Sequence, residues 1–392
     1  MLEPRKAWLL AAAAVCAAVA SGCHHETVAV RGDNAAGDST CLSCHVDHAS
    51  FEQTAHHLTS RLPTRASIAG SFTPGLNVLR TSNPSLYFRM DSTADGFYET
   101  AVSTHVRDTT TRTERIAIVT GIRKGQSYLY WAGHDQLYQL PVSYWTGSGW
   151  AYSPGYADGR PNFDRLIPPR CLECHATWVE AVPAPGVVNR YQRADAILGI
   201  SCETCHGAGR DHVRNERSSL HWLLPRSIVN PANLPRARQL DGCALCHNGT
   251  APLRTDAFAY VPGQVLQKRT ALATRIGSDT VDVHGNQVAL LERSRCYRSS
   301  QMTCTTCHDV HREQRDVLAF SGTCLTCHTP QSCGLYPKYG QRLVGRCVDC
   351  HMPALTSATV IANSPGHQLR VQVRSHWIKV YAQMDTLPSG SY

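Results

Sequence analysis

One short pattern, Cys-x-x-Cys-His, recurs seven times in this chain and constrains its fold more than any other feature. The copies are "CLSCH" (Cys41, Cys44, His45), "CLECH" (Cys171, Cys174, His175), "CETCH" (Cys202, Cys205, His206) and "CALCH" (Cys243, Cys246, His247). They continue with "CTTCH" (Cys304, Cys307, His308), "CLTCH" (Cys324, Cys327, His328) and "CVDCH" (Cys347, Cys350, His351). With 18 cysteines and 20 histidines in 392 residues, independent placement predicts about 0.04 such groups, so chance is excluded.

Three chemistries use these residue types. A zinc site pairs two CxxC units or adds distant histidines, and has no need of a histidine after every second cysteine. A redox dithiol needs one motif in a βαβ setting. A c-type haem needs this spacing: two thiols add across its two vinyl groups, and the adjacent histidine ligates the iron from the proximal side. The pattern predicts seven covalently bound haems.

Thirteen histidines lie outside the motifs, and a six-coordinate bis-histidine haem needs one on its distal face. His48 follows His45 by three, and His311 follows His308 by three. On a helix each pair shares a face, so the later member serves the iron of a neighbouring haem rather than its own. His212, in "CETCHGAGRDH", is expected to do the same. His56, His284, His367 and His376 complete the candidate set, with His57 competing with His56. His24 and His25 read as tether and His134 as a turn residue, while His105 and His221 stay undecided. The mature chain has four methionines, Met90, Met302, Met352 and Met384, and Met352 directly follows His351, so it cannot serve that haem.

The N-terminus carries Arg5 and Lys6 followed by the apolar run "WLLAAAAVCAAVA", an export signal too short to span a bilayer stably. "VASGC" resembles a bacterial lipobox with Cys23 as the lipidated residue; ordinary cleavage after Ala20 is the alternative. Residues 1–22 are thus a signal peptide and 23–40 a tether. The expected location is the periplasm, the outer membrane or the cell surface. Of the cysteines left over, Cys16 leaves with the signal. Cys296 and Cys333 bracket two motifs and are either a disulfide or two free thiols.

No CxxCH motif occurs between His45 and Cys171, and that gap has a different texture. "SLYFRMDSTADGFYETAVSTHV" alternates apolar and polar residues around an Ala94-Asp95-Gly96 turn, and "SYLYWAGHDQLYQLPVSY" suggests a second hairpin around Gly133. Residues 85–145 are therefore expected to be an antiparallel β insertion. It separates an N-terminal haem segment (41–84) from a six-haem region (146–392) of short helices, loops and haem-contacting turns. The expected fold is mainly α, with porphyrins supplying much of the core. The formal charge of +8 falls to about +7 on signal loss. About fourteen haem propionates then offset it, leaving no basis for nucleic-acid binding.

"GISCETCHGAGRDHV", "MTCTTCHDVH" and "CVDCHMP" followed by "VRSHWIKVY" resemble signature stretches of multihaem cytochromes c of the cytochrome c554 and nitrite-reductase-like superfamily. That resemblance implies a helical, haem-packed architecture with parallel and perpendicular haem pairs. Nitrite reductases of this class replace one motif histidine by lysine, and no CxxCK occurs here. Three functions follow as candidates. The first is an electron carrier between other redox proteins: cytochromes, quinol-oxidising membrane complexes or outer-membrane conduits. The others are an oxidoreductase of a small nitrogen or sulfur compound at one five-coordinate haem, and a subunit of an extracellular cytochrome filament.

Overall fold

The computed structural model describes residues 27–249, 256–266, 281, 286–382 and 384. The export signal, Cys23 and His284 lie outside them. The first large element is a four-stranded antiparallel sheet of β2 (Val78–Arg80), β3 (Leu86–Thr93), β4 (Gly96–Thr104) and β5 (Thr109–Arg115), in sequence order. The expected tight turn is present: Thr93 pairs with Gly96.

A second sheet joins β1 (Ser60–Arg61), β6 (Ile118–Thr120), β7 (Gly125–Ala132), β9 (Val142–Trp145) and β10 (Gly149–Tyr152), with β8 (Gln136–Gln139) paired to β7. Alternation along β7 explains how this sheet serves two cores, because successive side chains point to opposite faces. Tyr128 and Tyr130 pack with Phe88, Met90, Leu140 and Tyr152 against the four-stranded sheet. Leu129 packs with Leu137, Ile167, Leu172, Trp178 and Tyr191 on the motif-bearing side.

The expectation of a mainly α fold does not hold. Helix and strand occur in similar shares, and the described residues form four antiparallel sheets. Strand pairing extends well beyond 85–145, to the hairpin of β11 (Ala176–Ala181) with β12 (Tyr191–Leu198) and that of β13 (Ala354–Ser364) with β14 (His367–Arg374). The reason is local. "ATWVEA" and "ATVIANS" are rich in residues that suit a pleated surface, and both hairpins find apolar partners, β13–β14 packing Val360, Ala362 and Val371 on Trp145 and Ala151. The helices are mostly short: Asp38–Leu42, Pro169–Glu173, Cys202–His206, Arg236–His247, Val317–Cys324 and Cys347–His351 each carry part or all of a motif.

Residues 27–40, expected as tether, are packed onto the fold. Ala208 N donates to Val28 O at 3.3 Å and Arg210 N to Asn34 O at 3.2 Å. Val30 is buried.

Candidate functional site

Each motif folds as about one helical turn. His45 N donates to Cys41 O at 2.9 Å, and His308 N and His328 N make the equivalent bonds to Cys304 O and Cys324 O at 3.0 Å. One turn sets both sulfurs on one side with the histidine beside them.

Every cysteine and histidine of all seven motifs lines one continuous cavity of about 5020 Å³. Ordinary ligand sites occupy roughly 300–1,000 Å³, so this space suits several large groups. One long stretch of its wall lacks a side-chain core of its own: among the described residues between Leu291 and Val348, Leu343 alone is a buried hydrophobic. That stretch holds "CTTCH" and "CLTCH" and reaches "CVDCH".

Motifs distant in sequence meet at their first or second cysteines. The thiols of Cys41 and Cys202, Cys174 and Cys246, Cys243 and Cys304, and Cys324 and Cys347 stand beside one another as pairs. In each pair the neighbouring sulfur holds the first-named thiol below its ordinary pKa, except in the last, where it is Cys347 that is lowered, to about 7. Cys296 and Cys333 are both free thiols on the cavity wall. Cys296 stands near Cys307 and Cys324, and Cys333 near Cys350; the Cys296–Cys333 bridge is not formed.

The histidines face one another across regular gaps. Ring centroids are 6.5 Å apart for His45 and His212, 6.2 Å for His206 and His311, 6.1 Å for His56 and His247, and 6.2 Å for His308 and His376. Two imidazoles ligating one metal from opposite sides, with nitrogen at roughly 2 Å and each ring centre about 1.1 Å further, stand about 6.2 Å apart. The four centroid spacings match that distance. His48 and His311, at 4.3 Å, are in direct ring contact and leave no such space.

The ring nitrogens are oriented by the backbone. Nδ1 of His206 donates to Val229 O at 2.8 Å, that of His212 to Arg226 O at 2.8 Å, and that of His351 to Lys379 O at 2.9 Å. His175 Nδ1 meets Thr59 Oγ1 at 2.9 Å. Such bonds fix the tautomer and leave Nε2 as the donor atom for a metal. Burial pushes His56 and His376 down to about 4 and also lowers His206, His247, His308 and His311, which favours the neutral imidazole that ligation requires.

His57 behaves differently: its Nδ1 lies 3.2 Å from Asp38 Oδ2, and the Asp38 carboxylate raises its pKa. Geometry thus separates His56, on the cavity, from His57. His367 is exposed at the tip of the β13–β14 hairpin and does not line the cavity. Among the described residues no three His, Cys, Asp or Glu side chains converge as a protein-only metal site would require; the histidines come in twos, an arrangement that suits a haem, which would supply the other four nitrogens.

Three residues that the sequence reading passed over hold the motifs in place, and all three are the acidic residue inside a motif. Glu203 is 1% exposed. Its Oε1 accepts from Ala36 N (2.9 Å) and Gly209 N (2.7 Å), and its Oε2 from Gly37 N (3.1 Å). Glu173 accepts from Phe258 N at 3.0 Å and from Arg170 Nη1 at 2.9 Å, and Arg170 in turn donates to Leu245 O at 2.6 Å, tying "CLECH" to "CALCH". Asp349 accepts from Arg374 Nη2 at 2.9 Å, while Arg374 Nη1 reaches Val348 O and Met352 O at 3.1 Å, fastening "CVDCH" to β14.

Comparison with known proteins gives a partial match: a family model described as cytochrome c554 and c-prime covers residues 155–207. The match spans "CLECH" and "CETCH", well under half the chain, and indicates a distant kinship with redox proteins of that family. No curated protein and no solved structure matches the chain.

Proposed function

We propose that this chain is an exported heptahaem c-type cytochrome that carries electrons through closely spaced, mostly bis-histidine haems. The observation that carries the reading is the set of 6.1–6.5 Å gaps between opposed imidazoles on one cavity wall. In this reading the fourteen motif cysteines are the attachment points. His45, His175, His206, His247, His308, His328 and His351 are the proximal ligands. His212, His311, His56 and His376 are the distal ligands opposite His45, His206, His247 and His308. When bound, the haems supply one-electron redox centres whose potentials follow axial ligation, burial and hydrogen bonding.

The chain's own part is to set which centres adjoin. The cysteine contacts bring "CLSCH" to "CETCH", "CLECH" to "CALCH", "CALCH" to "CTTCH" and "CLTCH" to "CVDCH". His311, from the "CTTCH" segment, faces His206 of "CETCH", and Cys324 lies near Cys307. These links leave no motif isolated. Partners are other redox proteins, and a lipid on Cys23 is the proposed attachment to the membrane.

Pyridine haemochrome yield together with intact mass tests the reading. Seven haems per chain are expected, with low-spin ferric signals dominating the electron paramagnetic resonance spectrum. A yield well short of seven, with unmodified motif thiols, would overturn it.

A further inference from the structure

Most exposed apolar side chains on this protein stand singly, as on any soluble surface. One group does not. Leu220, Trp222, Leu223 and Leu224 are 53%, 70%, 63% and 39% exposed, and they surround the single turn His221–Leu223. They do not line the haem-sized cavity, although Glu216, Arg217 and Arg226 just outside the turn do. Filling the cavity therefore leaves them bare.

The turn is the tip of an excursion that is closed at its base. Val229 N donates to His206 O at 2.9 Å, His212 Nδ1 to Arg226 O at 2.8 Å, and Asn215 Nδ2 to Pro225 O at 3.0 Å. A loop braced at three points presents its apolar tip without first having to be ordered, which lowers the entropic cost of binding.

The N-terminal segment joins the fold at that same base. Val28 O accepts from Ala208 N at 3.3 Å, and the side chain of Thr27 lies where any Cβ on Gly207 would fall, 2.0 Å from Thr27 Oγ1. Cys23 is four residues earlier, a reach of at most roughly 14 Å. The helix Arg210–Glu216, which leads out to the tip, is about 10 Å long. Of the arginines along the excursion, Arg217 and Arg226 line the cavity and Arg214 pairs with Asp211 at 3.0 Å, so the apolar tip and its nearness to Cys23, rather than charge, point to a lipid surface.

We propose that Leu220–Leu224 enters the interface of a lipid bilayer, with Trp222 at headgroup depth, and orients the protein on the membrane. Indole rings favour that depth because one edge is apolar and the other polar. The orientation rests on the reading of Cys23 as the lipid site; the lipid contact itself does not. It sets His212, on the same excursion, and its partner His45 on the membrane-facing side.

The test uses the haem-loaded chain exported behind a non-lipoprotein signal and carrying Cys23→Ser, mixed with vesicles of phosphatidylethanolamine and phosphatidylglycerol. Soret absorbance sedimenting with the vesicles is expected for this parent. The added pair Trp222→Ser and Leu223→Ser weakens binding about tenfold or more, with an unchanged haem spectrum. No binding by the parent, or equal binding by the variant, overturns the proposal, as does a dimer of the parent that the variant abolishes while vesicles recruit neither. Haemochrome yield and the mass at Cys23 in the native protein report separately on the haem and anchor readings.

Discussion

His311 faces His206 across 6.2 Å with the rings 22° from parallel, while the ring of His48 lies 4.3 Å from that of His311. Only the first spacing admits an iron. His311→Ala is therefore expected to open one axial position, turning one low-spin ferric centre high-spin and giving a carbon-monoxide adduct on reduction. His48→Ala should leave the low-spin count unchanged. The reverse result, with His48→Ala opening a site, would reassign the ligand.

A second pair divides two histidines of one strand-like segment. His376 lines the cavity and stands 6.2 Å from His308; His367 is exposed where Ser364 pairs with it across the Pro365-Gly366 turn. His376→Ala should yield one high-spin centre, and His367→Ala none. Electron paramagnetic resonance of the two variants decides, and a high-spin signal in His367→Ala alone would refute the assignment.

Glu203 joins the N-terminal segment to the "CETCH" helix through two backbone N–H donors, Ala36 and Gly37, while the same carboxylate accepts from Gly209 N on its own side. Hydrogen bonds to a charged group contribute roughly 1.5–3 kcal/mol each before non-additivity, so Glu203→Ala is expected to destabilise the chain by about 3 kcal/mol. Glu203→Gln should fare little better, because its amide nitrogen must face a backbone N–H. Hydrogen exchange across residues 27–40 is the measurement, and unchanged protection there in Glu203→Ala would count against the clamp.

What the sequence made legible follows from how local each constraint is. Haem attachment fixes spacing within five residues, so the motifs stand out without a fold, and the Ala94-Asp95-Gly96 hairpin is legible for the same reason. Distal pairing is not local: His56 meets His247, almost two hundred positions away, because the six-stranded sheet and the "CALCH" helix both border one cavity. The alternation of "HQLRVQVR" makes one strand of the 354–374 hairpin legible, whereas the hairpin at 176–198 departs from the expected helices, loops and turns because its pairing brings together strands about ten residues apart. A clearer signal was the acidic residue inside a motif. A carboxylate beside an apolar cofactor is costly unless bonded, so Glu173, Glu203 and Asp349, all buried, mark where motifs are fastened to other segments.

Glu99 gives a pH-dependent prediction well apart from the motifs. It is fully buried in β4 among the residues between the two large sheets; its Oε1 accepts from Val142 N at 2.9 Å, and its Oε2 has no partner. Burial raises its pKa well above 4.5, against the smaller opposing effect of the Val142 bond. The folded state thus holds a proton that the unfolded state gives up. By linkage this contribution is complete below the unfolded pKa and is lost as pH rises toward the folded one, by at most about 1.4 kcal/mol per pH unit. Glu99→Gln keeps the acceptor for Val142 N and cannot ionise. Its unpartnered amide makes it the less stable protein in acid, and its stability curve should then cross above that of the parent as pH rises. Denaturant midpoints from acid to mild alkali provide the check, and parallel curves for the two proteins would show that Glu99 does not carry the proton.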